Sequence, residues 1–353
     1  MERQYDLVIV GAGPAGLSAA LYGSRAGLKT LILENGAPGG KLIKTNKISN
    51  YPGIKDIEGT QLAMDMFEQA TSFQAEYAYG EVNKIDENKN VYLNDYKTII
   101  GPMEKESHLK KADIVMNDYY LGEKTFEMAE VKMQKCVFDK VLKDNNLNIS
   151  NIDLLVGSDL TNQIAISNYN AKEYNIPFLG LYSACAGFVQ GLIVSSTYVD
   201  SGTFKRVVSI TSSHNLTAER QFRYPVEYGA PRPNTATFTS TGAVATLLSK
   251  KVGKIKVESA TIGVVVDLGI KDANNMGAAM APAFADTLLA HFLDTGRNPS
   301  YYDAIISGDL GKIGKEIAID IAMSKGYNIK SNYNDCGLMI FDTKAQDTHA
   351  GGS

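Results

Sequence analysis

Short apolar runs alternate with a helical pattern at the start of the chain. Residues 5–10 are rich in Val and Ile, which predicts a buried strand, and a helical pattern follows as far as Gly27. Residues 28–34 form a second strand-like run that ends in an acidic residue. A strand, a helix and a second strand in this order predict a βαβ unit with parallel strand pairing.

Helical and strand patterns also alternate from about residue 124 onward. One motif occurs twice: residues 148–160 and 298–310 each hold an Asp, a four-residue apolar run and a Gly/Ser-Asp-Leu turn. Asp303 follows Asp153 by 150 positions, and an amphipathic helix precedes each copy. A repeat of this length indicates two duplicated half-domains in a layered α/β fold.

A polar, turn-rich stretch at residues 83–90 separates the two patterns. We place the junction between residues 88 and 96, where either a surface linker or a fused reading frame accounts for the change. The predicted domains are residues 1–92 and 93–353, and the second has halves of about 96–255 and 256–353.

Composition and charge exclude several functional classes. The chain has 353 residues, 44% of them hydrophobic, and a net charge of −4 without a run of Lys and Arg, so we do not expect nucleic-acid binding. No leader pattern opens the chain, and no apolar run reaches the ~18 residues of a membrane span. Cys136, Cys185 and Cys336 are too widely spaced for a disulfide framework or a zinc site. We therefore expect no metal and a cytoplasmic location.

A glycine-rich motif lies between the first predicted strand and its helix. Its residues are Gly11, Ala12, Gly13, Pro14, Ala15 and Gly16. Gly13 allows backbone N–H groups at the helix N-terminus to approach a pyrophosphate, and Gly16 allows the helix to pack close to the sheet. Glu34, at the end of the second strand, is placed to accept a hydrogen bond from a ribose hydroxyl. The motif in this context predicts a Rossmann-like FAD/NAD(P)-binding segment.

Further residues narrow the ligand. Residues 38–42, 48–53 and 80–82 resemble the FAD half-site of the low-molecular-weight thioredoxin reductase family. The resemblance implies FAD as the cofactor, with Gly40 and Asn50 beside the flavin and Val82 beside the adenine. A Cys-x-x-Cys pair and a second dinucleotide motif are absent from the sequence, so we expect no disulfide reductase activity.

Cys185 lies at a predicted strand-to-helix turn. Residues 176–182 predict a strand, and an apolar helix follows Cys185 as far as Val199. Because a helix N-terminus favours anions, this position predicts a lowered thiol pKa. The strand–Cys–helix pattern and the duplicated halves resemble the thiolase and ketoacyl synthase superfamily, which implies a thiolase-like fold with Cys185 in the nucleophile position.

The same resemblance bears on catalysis. Decarboxylating condensing enzymes carry a histidine after the first strand of the second half, where the repeat places residues 307–309, Ser-Gly-Asp. A condensing enzyme needs an activated thiolate and groups that stabilise the oxyanion and move the proton. We therefore expect a protein that is not catalytic. The alternatives are an acyltransferase that uses Cys185 and a fragment of an FAD-dependent oxidoreductase.

Four segments carry a closer resemblance. Residues 212–229, 267–270, 275–283 and 335–338 resemble the stage V sporulation protein AD family, and the likeness extends from about residue 96 to 353. The resemblance implies a protein that binds dipicolinic acid for its uptake into the developing spore. It also implies other stage V sporulation proteins as partners at the spore inner membrane, and a homodimer. By the family pattern we expect a fused chain whose second half ends before its last helix and strands.

Five residues are candidates for binding a small aromatic dicarboxylate. They are Cys185, His214, Arg220, Arg223 and Arg232. Arginines suit this ligand because their guanidinium groups bind carboxylates with two parallel hydrogen bonds. The alternatives are a dimer-interface loop for the arginines, a structural hydrogen-bonding role for His214, and a small packed residue for Cys185.

Overall fold

The computed structural model describes residues 5–51, 53–82, 91–106, 111–222, 232–253 and 255–352. The chain forms two compact units, residues 1–86 and 87–353. The boundary predicted at residue 92 falls inside a long strand of the second unit, which begins at Val91.

The first unit is a parallel sheet with two helices. Its strands lie in the order β1-β2-β3, and both strand pairs are parallel. The elements are β1 (Leu7–Val10), α1 (Pro14–Arg25), β2 (Thr30–Glu34), α2 (Gly59–Ser72) and β3 (Glu76–Tyr79), with a 3₁₀ turn at Gly40–Lys44. Small and aliphatic side chains such as Leu17, Ala20 and Ile32 form its core. The predicted βαβ unit is confirmed, because α1 connects the parallel strands β1 and β2.

The first half of the second unit is a mixed sheet packed against helices. Its strand order is β10-β4-β9-β8-β6-β7, with β5 beside β4. The strands are β4 (Val91–Ile100), β5 (Ile114–Val115), β6 (Leu154–Ser158), β7 (Phe178–Gly180), β8 (Arg206–Ser213), β9 (Gly242–Ser249) and β10 (Ile255–Val257). The helices are α3 (Pro102–Lys105), α4 (Phe126–Asp144), α5 (Ala165–Lys172), α6 (Gly187–Asp200) and α7 (Asn215–Phe222). Val137 and Phe138 of α4 pack into the main core with Leu155 and Ile210 of the sheet.

The second half contains two long helices and a two-stranded parallel sheet. Its elements are α8 (Met276–Thr295), β11 (Ile305–Ser307), α9 (Gly311–Ser324), β12 (Tyr333–Asp335) and α10 (Cys336–Ile340). Gly277 and Gly314 allow α8 and α9 to approach closely, since a β-carbon on Gly314 would lie 2.6 Å from the carbonyl oxygen of Gly277. Within the described residues, α8 has the length and apolar composition of a membrane-crossing helix. It packs against α9 around Ala281, Ala318 and Ala322.

The internal repeat is visible in matching turns. Asn148 and Asn298 each precede a 3₁₀ turn, and each accepts a hydrogen bond of 2.6 Å from the serine two positions later. The strand that follows, β6 or β11, has a parallel neighbour, β7 or β12. The predicted duplicated α/β architecture is therefore confirmed.

Candidate functional site

Cys185 lies between β7 and α6, within the 3₁₀ turn Ala184–Ala186. The residue before it, Ala184, has a φ of 45°, in the left-handed region that disfavours side chains. Backbone strain of this kind tends to occur where the fold fixes a functional side chain. The predicted strand-to-helix position of Cys185 is therefore confirmed, and the turn is a strained one.

The thiol of Cys185 lies beside the carboxylate of Asp309, which comes from the other half, and each group shifts the pKa of the other. Asp309 lies between β11 and α9 and has a φ of 65°, so it too adopts the left-handed conformation. Cys336, at the start of α10, contacts the backbone N–H of Asp309. Two strained backbones, one from each half, thus meet at a single thiol–carboxylate contact.

The repeat explains why Asp309 is available for this contact. Its counterpart in the first half, Asp159, accepts hydrogen bonds of 2.8 Å from the backbone N–H groups of Thr161 and Ser167. In the second half Asp335 fulfils this role, because it accepts from the N–H groups of Leu310 at 3.1 Å and Gly311 at 3.0 Å. The side chain of Asp309 is thereby left to face Cys185.

The electrostatics of the pair differ from the sequence prediction. Desolvation, and then the negative charge of Asp309 and its hydrogen bond, raise the pKa of the Cys185 thiol to about 12. The predicted lowering of this pKa is wrong, because desolvation and then the neighbouring carboxylate outweigh any effect of the helix N-terminus. Desolvation also raises the pKa of Asp309 to about 6, with a further contribution from Asp335. Cys185 as a residue is exposed, although its thiol is largely desolvated.

His214 is fully buried at the end of β8. Its Nε2 lies 2.8 Å from the carbonyl oxygen of Tyr119, and its Nδ1 lies 3.2 Å from the backbone N of Leu216. These contacts assign a neutral ring in which Nε2 donates and Nδ1 accepts. Desolvation lowers the pKa of His214, which is consistent with that neutral form. Both ring nitrogens are thus used within the protein.

The predicted arginines form ion pairs around α7. Arg220 contacts Glu127 at 2.7 Å and lies over the ring of Phe126, 5.9 Å from its centre. Arg232 pairs with Glu219 at 3.2 Å and lies 4.7 Å from the centre of the Phe238 ring. Arg223 lies outside the described residues. The structure therefore fixes Arg220 and Arg232 by a carboxylate and an aromatic ring each.

A second carboxyl group with a raised pKa lies near this region. Glu104 of α3 is 3% exposed, and its Oε1 accepts a hydrogen bond of 2.7 Å from the backbone N–H of Thr241. Its Oε2 is buried and has no hydrogen-bond partner among the described residues. Burial raises the pKa of Glu104 to about 7, while the Thr241 hydrogen bond acts to lower it.

Replacing Glu104 with Gln should weaken the pH dependence of stability. The folded-state pKa is about 7, whereas an unfolded Glu titrates near ~4.3. The folded state therefore binds more protons between these values, and the free energy of unfolding falls as pH rises through that window. Thermal unfolding midpoints at pH 5, 6, 7 and 8 should fall less in Glu104→Gln than in the unmodified chain. The exposed neighbour Glu106 provides the control, Glu106→Gln, and equal slopes in all three proteins would contradict the prediction.

The glycine-rich motif of the first unit has the shape of a phosphate cradle. Gly11 has a φ of 97°, and a β-carbon on Gly16 would lie 2.1 Å from the Gly11 carbonyl oxygen, so α1 touches the turn. A β-carbon on Gly13 would meet no atom within 4 Å, which leaves space in front of the helix. Pro14 begins α1, and the first-turn amides of Ala15 and Gly16 are the donors that a pyrophosphate would use.

Two of the other predicted nucleotide contacts, Glu34 and Gly40, lie beside this cradle. Glu34 accepts hydrogen bonds from the N–H groups of Ala12 at 2.7 Å and Gly36 at 3.0 Å, and each carboxylate oxygen keeps a further lone pair for a ribose hydroxyl. Gly40 lies close to Gly13, since a β-carbon added to Gly40 would lie 3.2 Å from the Gly13 Cα. Asn50 and Val82 are exposed. The residues present therefore fit the adenosine diphosphate half of FAD.

Comparison with known proteins assigns the larger unit. The sequence model of stage V sporulation protein AD matches residues 83–353. The protein of that name from Bacillus subtilis (strain 168) is 44% identical over 264 residues, which cover 74% of this chain and 78% of that protein. The chain belongs to the stage V sporulation protein AD family. Cys185 and Asp309 both lie within the residues that this family model matches.

The first unit has a different set of relatives. The model of pyridine nucleotide-disulphide oxidoreductases matches residues 5–131. Thioredoxin reductase from Bacillus subtilis (strain 168) is 47% identical over 98 residues, and that from Listeria monocytogenes is 46% identical over the same length. Each match covers 28% of this chain and 29% of the reductase. The chain thus spans less than a third of these relatives.

Solved structures support the fold. Cerulenin-bound OleA from Xanthomonas campestris has a TM-score of 0.51 and 13% sequence identity, and the match covers 72% of this chain and 84% of OleA. At this identity the likeness concerns the fold alone. The sporulation protein AD unit therefore has a thiolase-like fold, as the sequence predicted.

Sequence reasoning missed Asp309 as a member of the site. Asp309 fills the position where decarboxylating condensing enzymes are expected to carry a histidine, and no feature of its own segment pairs it with Cys185. The repeat contained a signal: Thr161, whose side-chain hydroxyl donates to Asp159, is replaced by Gly311 in the second half. Without that hydroxyl, the side chain of Asp309 has one donor fewer and needs another partner.

Proposed function

We propose that the sporulation protein AD unit is a binder of dipicolinic acid, not an enzyme, and that it serves the uptake of this compound into the developing spore. Family membership supports the role in sporulation. The observation that carries the absence of catalysis is the desolvated position of the Cys185 thiol beside the Asp309 carboxylate. A carboxylate in this position holds the thiol in its protonated form.

Acyl transfer needs an ionised cysteine, and the surroundings of Cys185 disfavour ionisation. The thiolate is the nucleophile, and with a pKa of about 12 roughly one thiol in 10⁵ is ionised at pH 7. An adjacent general base could offset this, yet His214 uses both ring nitrogens in contacts with Tyr119 and Leu216. The described residues around Cys185 therefore suit a ligand contact better than nucleophilic attack.

Dipicolinate is a planar aromatic dianion, and the arginines around α7 match its charge. Arg220 is 47% exposed at its side chain, so it retains donors for a carboxylate beyond the one that contacts Glu127. The ring of Phe126 below Arg220 adds an apolar surface. We accordingly place Arg220 foremost among the ligand contacts, and Arg232 and Arg223 remain further candidates from the sequence, the latter outside the described residues.

Replacing Arg220 with Gln should weaken dipicolinate binding at least tenfold, because a charged hydrogen bond to a carboxylate is worth ~1.5–3 kcal/mol. Isothermal titration calorimetry of the full chain measures the affinity. Arg297 is a matched control: it pairs with Glu258 at 3.0 Å and lies 4.3 Å from the centre of the Tyr301 ring. Arg297→Gln should bind normally. Equal weakening in both variants, or absence of binding to the unmodified chain, would contradict the proposal.

A second function concerns the first unit, which we propose binds FAD through its adenosine diphosphate half. The open space in front of Gly13 and the free lone pairs of Glu34 support this proposal. The flavin would supply redox chemistry when bound, although a reductase-like Cys-x-x-Cys pair is absent from the sequence. The chain's own contribution is the orientation of the pyrophosphate and the ribose.

FAD added to the purified chain should lose fluorescence as it binds, and Gly13→Val should weaken this binding at least tenfold. The valine side chain would occupy the space that a pyrophosphate needs, while no protein atom within 4 Å of a β-carbon there opposes it. Ser72→Ala, at an exposed position of α2, is the control. FAD fluorescence that stays unchanged with the unmodified chain would exclude the proposal.

The proposed role also implies a cellular location, an oligomeric state and protein partners. We propose that the protein is a cytoplasmic homodimer that can lie peripherally at the spore inner membrane. There it would act with other stage V sporulation proteins. Sedimentation equilibrium tests the dimer, and co-purification of membranes from sporulating cells tests the location.

A further inference from the structure

We propose that residues 262–268 form an unpaired strand edge through which two copies of this chain associate. None of the residues proposed to bind dipicolinate or FAD lies on this edge, so the inference goes beyond those sites. It assigns a surface to the proposed homodimer, and its test separates that surface from the dimer itself.

Aliphatic side chains of this segment face solvent. Val265 is 98% exposed, and Ile262, Val264 and Leu268 are also largely exposed. Single exposed aliphatic residues are common on protein surfaces and need no explanation. Four of them within seven consecutive positions form a contiguous apolar patch, which is typical of an interaction surface.

The backbone of the segment is equally open. Residues 258–268 contain neither helix nor turn, none of them has a positive φ, and within the described part of the chain none forms a backbone–backbone hydrogen bond. Asp267 accepts a hydrogen bond of 2.7 Å from the N–H of Gly269, whose φ of 78° ends this extended run. The amide and carbonyl groups before that point are a template for an added strand.

Contacts with α8 fix one side of the segment. The Oγ1 of Thr261 lies 2.8 Å from Nδ1 of His291. A β-carbon on Gly263 would lie 2.0 Å from the Oγ1 of Thr287, so the backbone at Gly263 touches the helix. A strand edge that is already held in place loses little conformational entropy when it pairs.

The first half shows what kind of partner such a strand takes. Helices α4 and α8 begin 150 positions apart, at Phe126 and Met276, and β4 precedes α4 as the segment precedes α8. Strand β4 packs against α4, as the segment contacts α8. Along its length β4 pairs with the antiparallel strand β9. By the repeat, the partner that suits residues 262–268 is an antiparallel apolar strand.

A second copy of the chain can supply that strand. Residues 242–247 of β9 are Gly-Ala-Val-Ala-Thr-Leu, and residues 263–268 are Gly-Val-Val-Val-Asp-Leu. The segment therefore has the place of β4 and a sequence similar to that of β9, so each copy offers the strand that the other needs. A two-fold axis brings the same surface of two copies together. Asp267 is the only charged residue in positions 259–268, so charge repulsion opposes this pairing only weakly.

Sedimentation equilibrium of the full chain carrying Val265→Lys tests the proposal. Because Val265 is 98% exposed, lysine there should not disturb the folded monomer, whereas two lysines on one paired edge repel each other. The dissociation constant of the dimer should rise at least tenfold. Val252→Lys makes the same change at an exposed residue outside the segment, and it should associate as the unmodified chain does. Equal dissociation constants in all three proteins would overturn the inference and leave the proposed homodimer intact.

A synthetic peptide of residues 260–270 gives a second measurement, on the unmodified chain. It should dissociate the dimer and protect the amides of residues 262–268 from hydrogen–deuterium exchange, and the same peptide with Val265→Lys should do neither. An unmodified chain that is monomeric at every concentration would overturn the second copy as the occupant. Protection of these amides by a peptide of residues 242–249 would then assign the edge to a strand of another protein. Dipicolinate should bind Val265→Lys and the unmodified chain equally, so a failure of the ligand proposal is recognised separately.

Discussion

Replacing Asp309 with Asn should make Cys185 react about tenfold faster with iodoacetamide at pH 8. The carboxylate is the second cause, after desolvation, of a thiol pKa near 12. Each unit by which this pKa falls raises the thiolate fraction tenfold, and the lower basicity of the thiolate reduces its nucleophilicity by about threefold. The net gain is thus about threefold per unit, and removing the charge and its hydrogen bond should lower the pKa by about two units. Asparagine tolerates the left-handed backbone of Asp309, so the loop should keep its shape.

Mass spectrometry of labelled peptides resolves the three cysteines in this experiment. Cys136, which desolvation and nearby charges affect independently of Asp309, serves as an internal control. Asp303→Asn removes an exposed carboxylate from the same repeat motif and should leave the rate unchanged. A rate for Cys185 that is the same in Asp309→Asn and in the unmodified chain would show that Asp309 does not control the thiol. It would also remove the main support for a non-catalytic site.

The thiol–carboxylate pair also clarifies how the two halves relate. In the first half the loop after β6 satisfies Asp159 through the N–H groups of Thr161 and Ser167. In the second half the equivalent loop depends on Asp335, which comes from β12. The hydroxyl of Thr161 also donates to Asp159 and has no counterpart at Gly311, so Asp309 lacks one of the donors that hold the equivalent carboxylate in the first half.

Local patterns in the sequence were sufficient for much of this fold. The period of Val and Ile in residues 5–10 and the glycines that follow specify β1, the turn and α1, because these depend on neighbouring residues. The 150-residue repeat specifies matching turns at Asn148 and Asn298 for the same reason. Element order was therefore predictable from one sequence.

The chemistry of the site was less accessible, because it depends on contacts distant in sequence. The position of Cys185 at a helix start indicated a reactive thiol, while the opposing Asp309 follows 124 residues later. His214 likewise has no free ring nitrogen at Nε2, because this atom contacts the carbonyl oxygen of Tyr119, which lies 95 residues earlier. The sequence-based ligand set contained arginines that the structure pairs with glutamates, and such pairings have no local signal.

Replacing Gly314 with Ala should destabilise the second half by ~1–3 kcal/mol, the usual range for overpacking a close contact. In an open helix this change would stabilise by up to ~1 kcal/mol. Here the new β-carbon would lie 2.6 Å from the carbonyl oxygen of Gly277 and 2.9 Å from its Cα, so the backbone must move.

Because α9 begins two residues after Asp309, the shift should also increase alkylation of Cys185. Urea unfolding with exchange of α8 and α9 amides measures the loss, and Glu316→Ala on the exposed face of α9 is the control. If Gly314→Ala proves as stable as Glu316→Ala, the two helices do not pack at this distance, and the geometry that directs Asp309 toward Cys185 must be revised.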